Sequence, residues 1–358
     1  MATTFKTLLN NDVTSTRTLL HEAIPLTGTI VSGTYEPDEN VKNYAHGMFQ
    51  SVYDYPYLSS SANHIFDLTV GYHSDSFLSS SSSTQNAKKI NIYNQMAQTL
   101  VGYDDSGNIR KFDRDGNFAT TTDKMESVFF VNFARLLTKD EIKKGSFQTT
   151  FHTGGTYNAP DDELTLYDSN AQNDYRVNSP AGEYGLLFTS SNADPSGDDQ
   201  AIGLLYYQAG IAVITSSIFN VGGEQGDPVS NHFGSRLVDQ EDVYGSFLDS
   251  LASGSISGSC NGLRNRIKNV QFNNTTELNS TIYFCRANHN EFNYSSNPTY
   301  VNSSKIQVKE TSLDNPISYI TTVGLYSADN ELLAVAKLSE PLKKDPTNEL
   351  TLRVRLDY

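Results

Sequence analysis

The final segment of the chain constrains its folding most. Leu350, Leu352, Val354 and Leu356 alternate with Thr351, Arg353, Arg355 and Asp357. A period of two places the apolar set on one face of a β-strand. Burying each such side chain contributes about 1.5–3 kcal/mol, so the C-terminus is predicted to be held in a sheet. Phe147, Thr149 and Phe151 alternate in the same way, and strands are predicted at Ile65–Tyr72, Val128–Ala134, Tyr184–Thr189 and Thr281–Arg286. Two hairpins are expected. Leu204–Tyr207 and Ile211–Ser216 are joined by Gln208-Ala209-Gly210, and Tyr319–Tyr326 and Leu332–Leu338 turn about Ser327-Ala328-Asp329-Asn330. The predicted fold is mainly β with a few short α-helices (α+β), its antiparallel sheets forming a sandwich-like body with long loops.

Helical periodicity occurs in two places. Val41, Tyr44, Ala45, Met48, Phe49 and Val52 share one face of a helix that would start at Pro37-Asp38 and stop at Tyr55-Pro56. Ile90, Tyr93, Ala97, Leu100 and Val101 define a second, with Met96 beside them. Neither face carries a row of titratable groups, so both are expected to be packing helices. Thr138-Lys139-Asp140-Glu141 reads as a capping box opening a one-turn helix that closes at Lys143, Lys144 and Gly145, and Val243–Leu251 as another short helix. Loops are expected at Ser79–Ser83, 153–183, Gly222–Asp227 and the Ser/Gly joint Ser253–Gly262, and a lysine-bearing loop between Pro341 and Pro346. The organisation expected is an N-terminal mixed α/loop docking region over 1–120 and a β-rich body over 121–358, with 263–358 a C-terminal β meander.

Charge narrows the partners. Against 26 Lys and Arg stand 41 Asp and Glu, a net charge of −15. A body this acidic repels phosphate, which argues against nucleic acid and against anionic membranes as partners. Cys260 and Cys285 are too few for a disulfide framework or a zinc site. No apolar run reaches the roughly 18 residues of a membrane span, and the start Met1-Ala2-Thr3-Thr4-Phe5-Lys6 does not read as a secretory signal, so synthesis in a cytoplasm is expected.

Chemistry-bearing motifs are sparse. The seven histidines include no pair one helical turn apart beside a glutamate, and neither a Walker loop nor a dinucleotide glycine signature is present. Gly254-Ser255-Ile256-Ser257-Gly258 has Ile256 where a nucleophile elbow requires serine, and reads as loop. The twin turns Tyr103–Asn108 and Phe112–Asn117 suggest a calcium loop, but the closing position counted from Asp113 holds Lys124 instead of Glu. Asp161-Asp162-Glu163, Asp198-Asp199 and Glu241-Asp242 sit in polar stretches, where nothing raises one pKa as a glycosidase acid needs. Cys285, in Ile282-Tyr283-Phe284-Cys285, reads as a small buried hydrophobe. No catalytic, cofactor-binding or metal-ligating residue is assigned, and a non-enzymatic chain is expected. Its 21 tyrosines suit protein contact surfaces. Tyr53, Tyr55 and Tyr57, around Pro56, and Lys343, Lys344 and Asp345, in the C-terminal loop, are the candidate contact residues.

Tyr319-Ile320-Thr321-Thr322-Val323-Gly324-Leu325-Tyr326 followed by Glu331-Leu332-Leu333-Ala334-Val335-Ala336-Lys337-Leu338-Ser339 resembles a segment of structural tail and baseplate proteins of large contractile-tailed bacteriophages, including those of marine cyanobacteria. Glu291-Phe292-Asn293-Tyr294-Ser295-Ser296-Asn297-Pro298-Thr299 is similar to the stretch preceding it in such proteins. The likeness covers roughly 285–358. It implies a virion tail component, most readily of the baseplate wedge, that works by multivalent contact with other tail, baseplate or neck proteins and with repeated copies of itself. The alternatives are a neck or tail-adaptor protein, or a receptor- or glycan-binding module at the tail tip. The resemblance implies no catalytic residue.

Overall fold

A computed structural model of the chain describes residues 5–27, 39–80, 85–118, 122–153, 162–193, 201–219, 251, 254–294, 301–302, 305–306, 311, 313 and 315–358. The fold is mainly β, with several antiparallel sheets and short helices. Two compact units are present. The central unit holds residues 20–276 and the terminal unit residues 1–19 and 277–358. The divisions fall within β1 (Val13–Thr27) and the 21-residue β14 (Ile267–Ala287), of which the expected strand Thr281–Arg286 is only a part.

The central unit is built on a seven-stranded antiparallel sheet. Its strands are β2 (Val41–Asn43), β3 (Gln50–Tyr53), β4 (His64–Tyr72), β7 (Ser127–Phe133), β11 (Tyr184–Leu187), β12 (Gly203–Tyr206) and β13 (Ile211–Thr215), in the order β11-β12-β13-β7-β4-β3-β2. The middle strands read as nearly unbroken apolar runs because they are buried on both faces. Val128, Phe129, Phe130 and Val131 of β7 are all buried. Phe130 faces Val213 across one neighbour and Val131 faces Leu68 across the other. Helix α1 (Asn86–Leu100) lies against β4, and Gly71 permits the approach. A Cβ there would stand 2.8 Å from both the Lys89 carbonyl oxygen and the Tyr93 nitrogen.

A second sheet in this unit joins β8 (Glu141–Ile142), β9 (Gln148–Thr153), β10 (Asp162–Tyr167) and the first half of β14. Phe133, Phe147 and Phe272 bring the side chains of the two sheets together, with ring centroids 5.2 to 6.4 Å apart. A small hairpin, β5 (Phe112–Asp113) with β6 (Lys124–Met125), completes the unit.

In the terminal unit, β19 (Leu350–Asp357) pairs with the second half of β14, from Ser280 opposite Asp357 to Ala287 opposite Leu350. The chain end is thus held in a sheet. Val354 is its one buried residue, and Leu350, Leu352 and Leu356 are half-buried. β15 (Val301–Asn302) and β16 (Lys305–Ile306) form a short ladder, and β17 (Ser318–Tyr326) and β18 (Leu332–Lys344) form the expected hairpin. Arg286 Nε binds Asp12 Oδ1 at 2.8 Å, and Lys6 pairs with Glu291.

Several local expectations are overturned. Residues 41–52 are not a helix: Val41 and Val52 face each other across the β2–β3 pair, and Gly47 turns the chain between them at φ +62°. A left-handed residue ends any right-handed helix, and glycine adopts that conformation without a steric cost. The one-turn helix α2 (Arg135–Thr138) finishes where the capping box at Thr138 was expected to open one, because Lys139 sits at φ +56° and Ile142 is drawn into β8 and fully buried. The 153–183 excursion contains β10, which lays Leu164 and Leu166 opposite Phe151 and Thr149. The Ser/Gly joint is a helix, α3 (Ile256–Arg264), whose N-cap Ser255 accepts the Gly258 N–H at 3.0 Å. Residues 342–344 continue β18 rather than forming a loop. Cys285 is half-buried in β14 opposite Leu352, not a core residue. The expectations at 37–38, 81–83, 222–227 and 243–250 lie outside the described residues. No helix of the described residues is long and apolar enough to cross a membrane.

Candidate functional site

The β17–β18 ribbon of the terminal unit turns apolar side chains to solvent. Leu332 is 53% exposed, Leu333 68%, Val335 51% and Tyr319 56%. Tyr326 is also exposed, with its ring 4.8 Å from that of the exposed Phe5. The register sets Gly324 opposite Val335 and Tyr326 opposite Leu332, so apolar groups on neighbouring strands form one patch. Val323 and Leu325, opposite Ala336 and Ala334, are half-buried. Two strands alone are marginal in water, and an exposed apolar patch marks an interaction surface.

Electrostatics supports this assignment. The terminal unit carries 10 Lys and Arg against 11 Asp and Glu, whereas the central unit carries 16 against 30. The acidity therefore belongs almost wholly to the central unit. The nearly neutral terminal unit opposes association with a neighbour little, and the acidic one disfavours it strongly.

The candidate contact residues fall in both units. Tyr53 ends β3 with its ring 6.4 Å from Tyr57 and 5.5 Å from His64, and burial together with Tyr44 raises its pKa. Tyr55 and Tyr57 are exposed. In the terminal unit Lys343 reaches Asp345 at 3.4 Å. Lys344 is fully buried and donates to the His289 carbonyl, Asn293 Oδ1 and its neighbour's carbonyl at 3.3, 2.8 and 2.9 Å. Its ammonium serves the internal structure and is closed to a partner. Asp345 accepts from the Thr347 hydroxyl and N–H, which lowers its pKa.

In the central unit Lys89, Asp168 and Asp113 are buried; sequence reasoning missed the first two and placed Asp113 only at the start of a calcium loop. Lys89, on the buried side of α1, donates to the carbonyls of Leu251 and Gly254, and burial lowers its pKa to about 8. Asp168 accepts the N–H groups of Gly145 and Phe147 at 2.8 and 2.9 Å and the Tyr207 hydroxyl at 3.2 Å, yet burial raises it to about 6. Asp113 is buried and raised to about 7, by burial first and by Asp115 second, against the pull of its ion-pair partner Lys124. The lysine at the closing position of the supposed calcium loop thus supplies the cation itself. Among the described residues no three His, Cys, Asp or Glu side chains are grouped as a metal site requires. Asp161, Asp198, Asp199, Glu241 and Asp242 lie outside the described residues, and Glu163 is exposed and paired with Lys268.

The central unit also holds a cleft of about 970 Å³, bordered by the residues that follow β4, helix α1 and the turn at 103–111. His73 Nδ1 accepts the Asp75 N–H at 3.1 Å, and its ring meets Tyr93 edge-on at 5.5 Å. Burial and the Lys111 charge hold His73 below its ordinary pKa. Lys111 is clamped between Asp75 at 2.9 Å and Glu126 at 3.0 Å.

No family model matches this chain, and no curated protein or solved structure matches it.

Proposed function

We propose that this chain is a non-enzymatic structural protein of a bacteriophage virion, a component of the tail baseplate wedge that acts by multivalent contact with neighbouring subunits. One observation carries the reading: the strands that resemble phage tail proteins, β17 and β18, are those that leave Leu332, Leu333 and Val335 about half or more exposed. An apolar ribbon with so little of its own core suits a subunit whose neighbours finish its burial. A neck or tail-adaptor position would use the same surface. Lys89, Asp168 and Asp113 in the central unit are each held by backbone or side-chain partners, as in a packed scaffold.

Electron cryomicroscopy of assembled particles tests this. The expected result is repeated copies in the tail with β17–β18 covered by another subunit. Particles in which the chain is missing from tail and neck, or in which that ribbon faces solvent, overturn it, as does turnover of a cell-wall polysaccharide by the purified chain.

A further inference from the structure

We propose that the cleft in the central unit binds a neutral oligosaccharide. This goes beyond the contact role of the terminal unit and does not depend on it. The volume, about 970 Å³, is that of a site for a ligand of two or three sugar rings.

Charge balance sets the ligand class. Asp75, Asp104 and Asp105 in the wall are matched by Arg110, Lys111 and Lys124. The cations are mostly committed: Lys111 to Asp75 and Glu126, and Lys124 to the buried Asp113. Glu126 adds negative charge close to these cations, so a phosphate or carboxylate ligand would meet no excess of positive charge. A cation fares no better. Asp75 is paired, and Asp104 accepts the N–H groups of Ser106 and Asn108 at 2.9 and 2.8 Å. What the cleft offers is a set of donors and acceptors whose charges nearly cancel, which suits hydroxyl groups.

The remaining lining fits a sugar's other surface. Tyr103 is 48% exposed at the rim, carried by the turn that Asp104 holds in place. Phe118 lies under the Arg110 guanidinium at 5.4 Å, which sets that fork beside an apolar ring. Aromatic rings take the C–H face of a pyranose while planar polar groups such as Arg110 and Asn94 take its hydroxyls. With Nδ1 occupied, His73 has Nε2 as its other hydrogen-bonding atom.

Calorimetric titration of the full chain tests the assignment, with maltotriose, mannotriose, cellotriose and chitotriose as neutral probes and trigalacturonate, sialyllactose and inorganic phosphate as charged ones. At least one neutral trisaccharide should bind, more tightly than any charged probe. Tyr103→Ala should weaken it about tenfold or more, a loss of about 1.4 kcal/mol, while Tyr103→Phe stays within about twofold. Arg110→Met should weaken it as well. Both side chains are at the surface, and unchanged thermal midpoints establish that the variants fold. No heat from any neutral probe at about 20 mM, preference for a charged probe, or wild-type affinity in Tyr103→Ala each overturns the proposal.

Discussion

The ammonium of Lys89 donates to the carbonyl oxygen of Gly254 at 2.8 Å, tying helix α1 to the residue before the N-cap of α3. The same nitrogen reaches the Leu251 carbonyl at 2.5 Å. Replacing Lys89 by Met keeps much of the apolar stem and removes the donor, leaving two carbonyls without it. The expected cost is about 1–3 kcal/mol in urea unfolding. Between pH 8 and 10.5 the unfolded chain holds a proton on this lysine that the folded chain has lost, so this group makes stability rise with pH across that window. Lys89→Met should remove that part of the rise.

Asp113 titrates in the opposite sense. Its folded pKa of about 7 exceeds the ordinary 3.8, so in between the folded state keeps a proton that the unfolded state has released. The contribution is complete below pH 3.8 and is lost as pH rises through 7. Asp113→Asn should flatten the fall in thermal midpoint between about pH 5 and pH 7.5 relative to wild type. An unchanged profile would show that Asp113 is not the titrating group.

Gly71 sets the distance between α1 and β4. In Gly71→Ala the new methyl would press on backbone atoms of Lys89 and Tyr93, which cannot rotate away. Destabilisation of about 1–3 kcal/mol is expected, with the far-ultraviolet dichroism retained.

Leu333, at 68% exposure, is where the proposed tail role can be tested apart from folding. Leu333→Asp should alter unfolding stability by no more than about 0.5 kcal/mol, because the side chain covers little of the unit's own interior. Incorporation into particles should fall sharply, as measured by quantifying the variant against wild type in purified tails.

Much of the local structure was legible. The β12–β13 and β17–β18 hairpins, β4, β7 and β19 all announce themselves by apolar patterning and turn residues. The errors have physical causes. Val41 and Val52 lie 11 positions apart, a helical spacing, but the hairpin that pairs them matches it equally well, and Gly47 was the only local sign. In α1 the expected face holds, with Tyr93, Ala97, Leu100 and Val101 buried and Ile90 packed against the core, but it also includes Lys89 and Ile92, which the periodicity did not bring out. A lysine at a core position looks like a surface residue until its carbonyl partners are known, and these lie more than 160 residues away. In α3 the spacing of Ile256, Cys260 and Leu263 was readable, yet the serines and glycines between them outweighed it.

The sequence by itself determined that this chain is mainly β, acidic, and ends in a strand, because side-chain period, composition and charge are local properties. Only the tertiary structure decided which strands pair, that the acidity lies in one unit and the exposed ribbon in the other, and which ionisable groups are buried. Burial and pairing depend on contacts between residues distant along the chain, and no window of neighbouring residues contains them.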